Sequence, residues 1–188
     1  MKKLLPGLAA LLWMVIIAAP AMAQQQAQGI LLVATPQLQD PNFSGAVVLV
    51  TRHGRSRPMG IILNRPFAAQ EGQDPKPDRP LYAGGPVARN SLLYLFKGKA
   101  DDGRHSMLSL GNELYLGLGR SLAEMLKLKP PAELKIFAGF ATWAHGQLEN
   151  EISRGDWLVL PLEPDQLLRQ DVSGQWQELL AKASQRAI

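Results

Sequence analysis

An α+β fold, a strand-rich single domain with a few helices against its sheet, is what this sequence predicts, and three observations carry the prediction. Seven short runs of Val, Ile, Leu and aromatic residues recur along the chain, as strands require. Two stretches carry apolar residues at the i, i+3, i+4 spacing of a helix, and a third carries an apolar pair four apart. The helical stretches gather in the C-terminal half rather than alternating regularly with the strands, which argues against a doubly wound sheet. With 188 residues, 46% hydrophobic and 19% charged, the chain can bury a full core, and disordered or collagenous classes are excluded.

Residues 1–23 read as an address rather than as part of the fold. Lys2 and Lys3 precede an apolar run over 4–19, and Pro20, Ala21, Met22 and Ala23 follow, the order of a secretory signal with cleavage after Ala23. The run, broken early by Pro6 and Gly7, falls short of the roughly 20 residues a membrane span needs. Export is therefore expected, to the periplasm in a Gram-negative cell, and the chain carries no Cys for lipid attachment there. The absence of Cys also excludes disulfides, thiolate metal sites and cysteine nucleophiles. Loss of Lys2 and Lys3 lowers the net charge from +4 to +2, too small a field to draw the protein onto nucleic acid.

The mature chain is expected to start with a frayed Gln-rich leader at 24–28 and to form one domain over 29–188. Strands are predicted at 30–34, 46–52, 59–63, 91–96, 113–116, 134–140 and 156–160. A short connection containing Gly54 makes 46–63 a hairpin. Residues 67–80, with Pro75, Pro77, Pro80 and Gly72, form a surface loop. Ser121 and Glu124 make an S-x-x-E capping box before Leu122, Met125 and Leu126, and Pro130 and Pro131 end that helix. Leu148 and Ile152 mark a short second helix closed by Gly155. Trp176, Leu179, Leu180 and Ala183 mark a third that packs the C-terminus onto the sheet.

Four blocks stand in order along this framework: T-P-Q-L-Q-D-P-N-F at 35–43 leading to M-G-I-I-L-N-R-P at 59–66, G-G-P-V at 84–87, A-G-F-A-T-W-A-H-G-Q-L-E-N-E-I at 138–152, and G-D-W-L-V at 155–159. Together they resemble the YqgE/AlgH family over nearly the whole mature chain. The resemblance implies an α+β domain whose sheet bifurcates and partly closes into a small barrel. It implies little about chemistry, although one branch is linked to transcriptional control, so a regulator is one reading by family association. A signal peptide departs from the family pattern and weighs against that reading. Thr142 stands where the family usually has Gly, a change expected to alter a tight turn beside Trp143.

Candidate site residues follow from polar groups that the strands bring together. Asp40, Asn42, Asn64 and Arg65 sit at the ends of two hairpin-related strands, where they either line a small-molecule site or make the Asx turns common beside proline. Gly84 and Gly85 let a ligand or another backbone come close. Trp143, Gln147 and Glu149 either rim a ligand pocket or serve the start of the second helix, whose dipole favours acids there. Arg52, His53, Arg55 and Arg57 crowd the hairpin tip as a basic patch suited to an anionic envelope component.

No phosphate-binding glycine motif, no G-x-S-x-G elbow and no His pair at metal-ligand spacing stands in the sequence, so no cofactor or metal is expected. The leading expectation is an exported, non-enzymatic binding or accessory protein whose partner is an envelope protein or an anionic envelope component. The alternative is a periplasmic hydrolase or acid-base enzyme using Asp40, His53 or Glu149.

Overall fold

The computed structural model describes residues 28–52, 57–67, 80–98, 108–128 and 131–186. The signal-like segment 1–23, His53, Arg55 and most of the proline-rich stretch 67–80 lie outside them. Strand β1 (Gln28–Ala34) starts at the last residue of the expected leader. It is followed by β2 (Val47–Arg52) and β3 (Met59–Ile62), which pair antiparallel as the expected hairpin.

After β4 (Leu81–Ala83) and β5 (Val87–Lys97), strands β6 (Leu108–Gly111) and β7 (Leu114–Leu118) are joined by Asn112 and Glu113, both at positive φ, which makes a two-residue hairpin turn. Glu113, expected to open a strand, is therefore a turn residue. Helix α1 (Gly119–Leu128), β8 (Leu134–Thr142), α2 (Gln147–Ser153), β9 (Trp157–Pro161), α3 (Pro164–Leu168) and α4 (Gln175–Arg186) complete the described chain.

The nine strands form one sheet in the order β6-β7-β5-β8-β3-β2-β1-β9, curled into a half-barrel, with β4 added beside β8. The fork lies on β8. Residues 134–140 of β8 pair with β5, its 136–138 stretch also pairs with β4 in parallel, and Ala141 and Thr142 pair with Gly60 and Met59 of β3. Thr142 thus lies in a strand ladder opposite Met59, and the tight turn expected beside Trp143 is not built there.

Alternation along each strand shows why these runs read as almost unbroken apolar sequence. Leu31, Val33, Val47 and Leu49 face the concave interior, where Leu167 and Leu168 of α3 and Leu179 and Ala183 of α4 fill it. Their neighbours Leu32, Ala34, Val48 and Val50 face a second layer made by Leu148, Trp143 and Trp157. On the other arm Leu93 and Leu95 point inward, while Tyr94 and Phe96 pack under Leu122 and Met125 of α1. A sheet buried on both faces has no polar side to alternate with.

The capping box predicted for α1 is not used as a cap. The helix begins two residues before Ser121, whose hydroxyl donates to the Leu118 carbonyl at 3.0 Å and meets the Tyr94 hydroxyl at 2.8 Å. The third helix is anchored as expected, and Trp176 Nε1 donates to the Ala34 carbonyl at 2.7 Å.

Candidate functional site

The segment 40–47 and the end of the β3 arm are built into one unit by side chain to backbone bonds. Asp40 Oδ1 accepts from the Asn42 backbone N–H at 2.8 Å and from Asn42 Nδ2 at 3.0 Å, closing an Asx turn. Asn64 Oδ1 accepts from the Val47 N–H at 2.9 Å while its Nδ2 donates to the Gly45 carbonyl at 2.9 Å, so one amide stands in for a rung of β ladder. Arg65 then reaches back over the turn, donating from one Nη to the Asn42 carbonyl at 2.5 Å and from the other to the Ser44 carbonyl at 2.8 Å. The guanidinium is fixed by the backbone and half-buried. Burial lowers its pKa from the ordinary arginine value, and the Asp40 carboxylate acts in the opposite sense.

Beside this unit lies a cleft of about 200 Å³. Its floor is apolar, made by Ile62 of β3, Ala83 of β4 and Ala138 of β8, and Phe67 and Pro86 form its sides. Asn42, Arg65, Gly85 and Arg89 supply the polar part. Of the residues expected to share a pocket, Asn42, Arg65 and Gly85 therefore do so. Asp40 and Asn64 stand behind them holding the turn, and Gly84 sits in the backbone beneath.

Arg89 was not among the residues the sequence singled out, and an irregularity in β5 puts it there. Val87 pairs with Phe140 and Leu92 with Ala138, so four β5 residues bulge opposite Gly139 alone. Ala88 within the bulge has φ of +48°, a strained value for a residue with a Cβ. Arg89 is exposed and makes no ion pair or side-chain hydrogen bond among the described residues.

The glycines of the sequence blocks are explained by close approach of other atoms at the fork. Gly139 has φ of +75°, and a Cβ on it would lie 2.6 Å from the Gly85 carbonyl oxygen; one on Gly84 would lie 2.3 Å from the Gly139 oxygen. A Cβ on Gly60 would meet the Trp143 ring at 2.7 Å, so that glycine makes room for the indole against β3. Blocks far apart in sequence are thus each other's packing partners.

Trp143, Gln147 and Glu149 do not line the cleft. Trp143 is 2% exposed and stacks on Phe43 with ring centres 6.1 Å apart. Its indole N–H donates to Glu151 Oε2 at 2.8 Å, and Trp157 Nε1 donates to the same oxygen at 2.9 Å. Gln147 donates to Glu151 Oε1 at 2.8 Å and accepts from the Ala144 N–H at 3.0 Å, which ties down the start of α2. Glu149 is exposed on the first turn of that helix. Glu151, overlooked in the sequence as one more helix acid, is the acceptor that joins two tryptophans and a glutamine. Of the hairpin-tip patch, Arg52 ends β2 and Arg57 is exposed, while His53 and Arg55 lie outside the described residues.

A buried cation is the other residue the sequence did not flag. Lys135 of β8 is 1% exposed, donates to the Leu63 carbonyl at 2.8 Å and the Arg169 carbonyl at 2.7 Å, and lies 4.1 Å from the centre of the Tyr82 ring. Burial, helped by the nearby Arg169 guanidinium, pulls its ammonium down to about 7. Tyr82 donates its hydroxyl to the Gln170 carbonyl at 3.0 Å, so β4 and β8 together pin the α3–α4 connection. Among the described residues no group of three or more His, Asp or Glu is placed to hold a metal, and no helix is long and apolar enough to cross a membrane.

Known proteins share this arrangement. A family model described as AlgH-like (DUF179) matches residues 31–187. A UPF0301 protein of Coxiella burnetii is 33% identical over 161 residues, spanning 80% of this chain and 85% of its own. One from Streptomyces avermitilis is 36% identical over 168 residues, with 82% and 85% covered. The solution structure of AlgH from Pseudomonas aeruginosa superposes with a TM-score of 0.63 at 28% identity, covering 85% of this chain and 88% of that one. A crystal structure of a Corynebacterium diphtheriae protein gives 0.65 at 27%, with 84% and 87% covered. With the family model matching residues 31–187 and relatives at 33% identity or more covering most of both chains, the chain belongs to the AlgH-like DUF179 (UPF0301) family.

Proposed function

We propose that this protein is an exported, non-enzymatic binding or accessory protein of the cell envelope, and that its ligand site is the cleft between Arg65 and Arg89. The observation that carries the reading is the β5 bulge. A strained Ala88 brings Arg89, which has no ion pair or side-chain hydrogen bond among the described residues, to a concave site that already holds a second, rigidly fixed guanidinium. Strain and bulges gather where a protein meets its ligand. The order of charged, apolar and small residues over 1–23 supports export.

Two experiments test this. Residues 1–30 fused to an export reporter should carry it out of the cytosol; retention in the cytosol would remove the envelope assignment and return weight to a regulatory role on nucleic acid. The protein purified from its own cells under native conditions should release, on denaturation, a small molecule that mass spectrometry finds at much lower occupancy in Arg89→Gln. Equal occupancy in both would move the ligand site away from this cleft.

A further inference from the structure

Resting on the ligand-site reading above, we infer that the cleft takes an anionic head, carboxylate or phosphate, carried on a small apolar body. Three features of the site carry this. First, Arg65 and Arg89 place two guanidiniums on one small cavity, and neither forms an ion pair with a carboxylate among the described residues. Asp40, the acid nearest Arg65, spends its Oδ1 on the Asn42 turn. An anion in that cavity can accept forked N–H groups from either guanidinium.

Second, the remainder of the cleft is apolar and set in place by the backbone. Phe67 is 52% exposed, and its N–H donates to the Leu81 carbonyl at 2.9 Å, which fixes the backbone that carries the ring beside the cleft. Pro86 faces the same space above a floor of Ile62 and Ala138. A bare ion has no use for such walls. Third, about 200 Å³ equals the liquid volume of roughly seven waters and lies under the range of most drug-sized sites, so a single ring or short branched chain with its head group fills it.

The probes are phenylacetate, phenyl phosphate, phenylacetamide and inorganic phosphate, titrated into the full chain while backbone amide shifts of Gly85, Val87 and Arg89 are followed by NMR. Both phenyl anions should move these amides, and phenylacetamide should bind about tenfold more weakly or worse, since it keeps the ring and lacks the charge. Whichever phenyl anion binds more tightly identifies the head group as carboxylate or phosphate. Arg89→Gln should weaken the anions by about tenfold and leave the amide unaffected, while Phe67→Ser should weaken the phenyl probes and not inorganic phosphate. Both variants change exposed side chains, and a dispersed spectrum shows each is folded. Equal binding of acid and amide at these positions overturns the anion inference but keeps the cleft as a ligand site. If none of the four probes moves these amides, the inference is overturned; equal occupancy of a co-purifying molecule in wild type and Arg89→Gln is the separate result that retires the cleft itself.

Discussion

Replacing Lys135 by methionine should flatten a pH dependence of stability that the wild-type protein owes to a single buried ammonium. The group is 1% exposed, and burial moves its pKa from the ordinary 10.5 to about 7. The unfolded chain therefore holds this proton more tightly than the folded one, and unfolding takes up a proton throughout the interval between the two values. Stability must rise as pH climbs from about 7 towards 10.5, be fully present above 10.5, and be lost as pH falls through about 7.

Each pH unit well inside that window corresponds to about 1.4 kcal/mol, and incomplete titration near the lower end brings the gain from pH 7 to pH 9 to about 2 kcal/mol. The neutral amine keeps two N–H groups, enough for the Leu63 and Arg169 carbonyls that the lysine now serves. Methionine fills similar space but leaves both carbonyls without a donor, a penalty of about 1–3 kcal/mol each that does not vary with pH. Urea unfolding of both proteins at pH 7, 8 and 9 separates the two effects, because every other titrating group cancels in the difference. The gap between wild type and Lys135→Met should widen by about 2 kcal/mol over that range. A gap that stays constant would refute the claim that the ammonium is held against its desolvation cost.

Three further substitutions probe the framework around the cleft. Gly139→Ala should cost about 2–5 kcal/mol in urea unfolding, because positive φ and a Cβ 2.6 Å from the Gly85 oxygen combine, whereas Gly146→Ala, with φ of +73° and no atom within 4 Å, should cost only about 1–2 kcal/mol. Equal costs would mean that the fork in β8 is looser than described. Glu151→Ala strips the acceptor from both Trp143 and Trp157, and its thermal unfolding should show a loss of about 2–4 kcal/mol; a loss under about 0.5 kcal/mol would demote this junction to a surface contact. Asn64→Ala should cost about 2 kcal/mol, since the Val47 N–H and the Gly45 carbonyl lose their partners together, and replacement by Asp should recover part of it through the Val47 bond alone.

The sequence disclosed those parts of the fold that depend on local pattern. Apolar runs such as Ile-Leu-Leu-Val-Ala at 30–34 declare a strand because both faces of β1 are buried, and Trp176, Leu179 and Ala183 declare α4 because one face of it is. β4 and β6, with three and four residues, are too short to show a period, and α3 has only five, although Pro164 at its first turn with Asp165 behind it was a readable start signal.

The site was half legible for a similar reason. Asn42 and Arg65 stand in compact blocks with proline, where polar residues attract notice. Arg89 owes its place to a bulge opposite Gly139, a long-range mismatch in register that no local window contains. Lys135 sits in the run Leu-Lys-Ile-Phe, where a lone lysine reads as an outward-facing strand residue; only the α3–α4 connection, thirty-odd residues later, closes over it. Glu151 looked like any acid of a short helix until two indoles, one just past β8 and one on β9, met on one oxygen.

The most direct measurement is a structure of the protein crystallised with phenylacetate. The carboxylate should lie between the Arg65 and Arg89 side chains with its ring against Phe67. Density for the ring elsewhere on the surface, with only solvent in the cleft, would contradict the account.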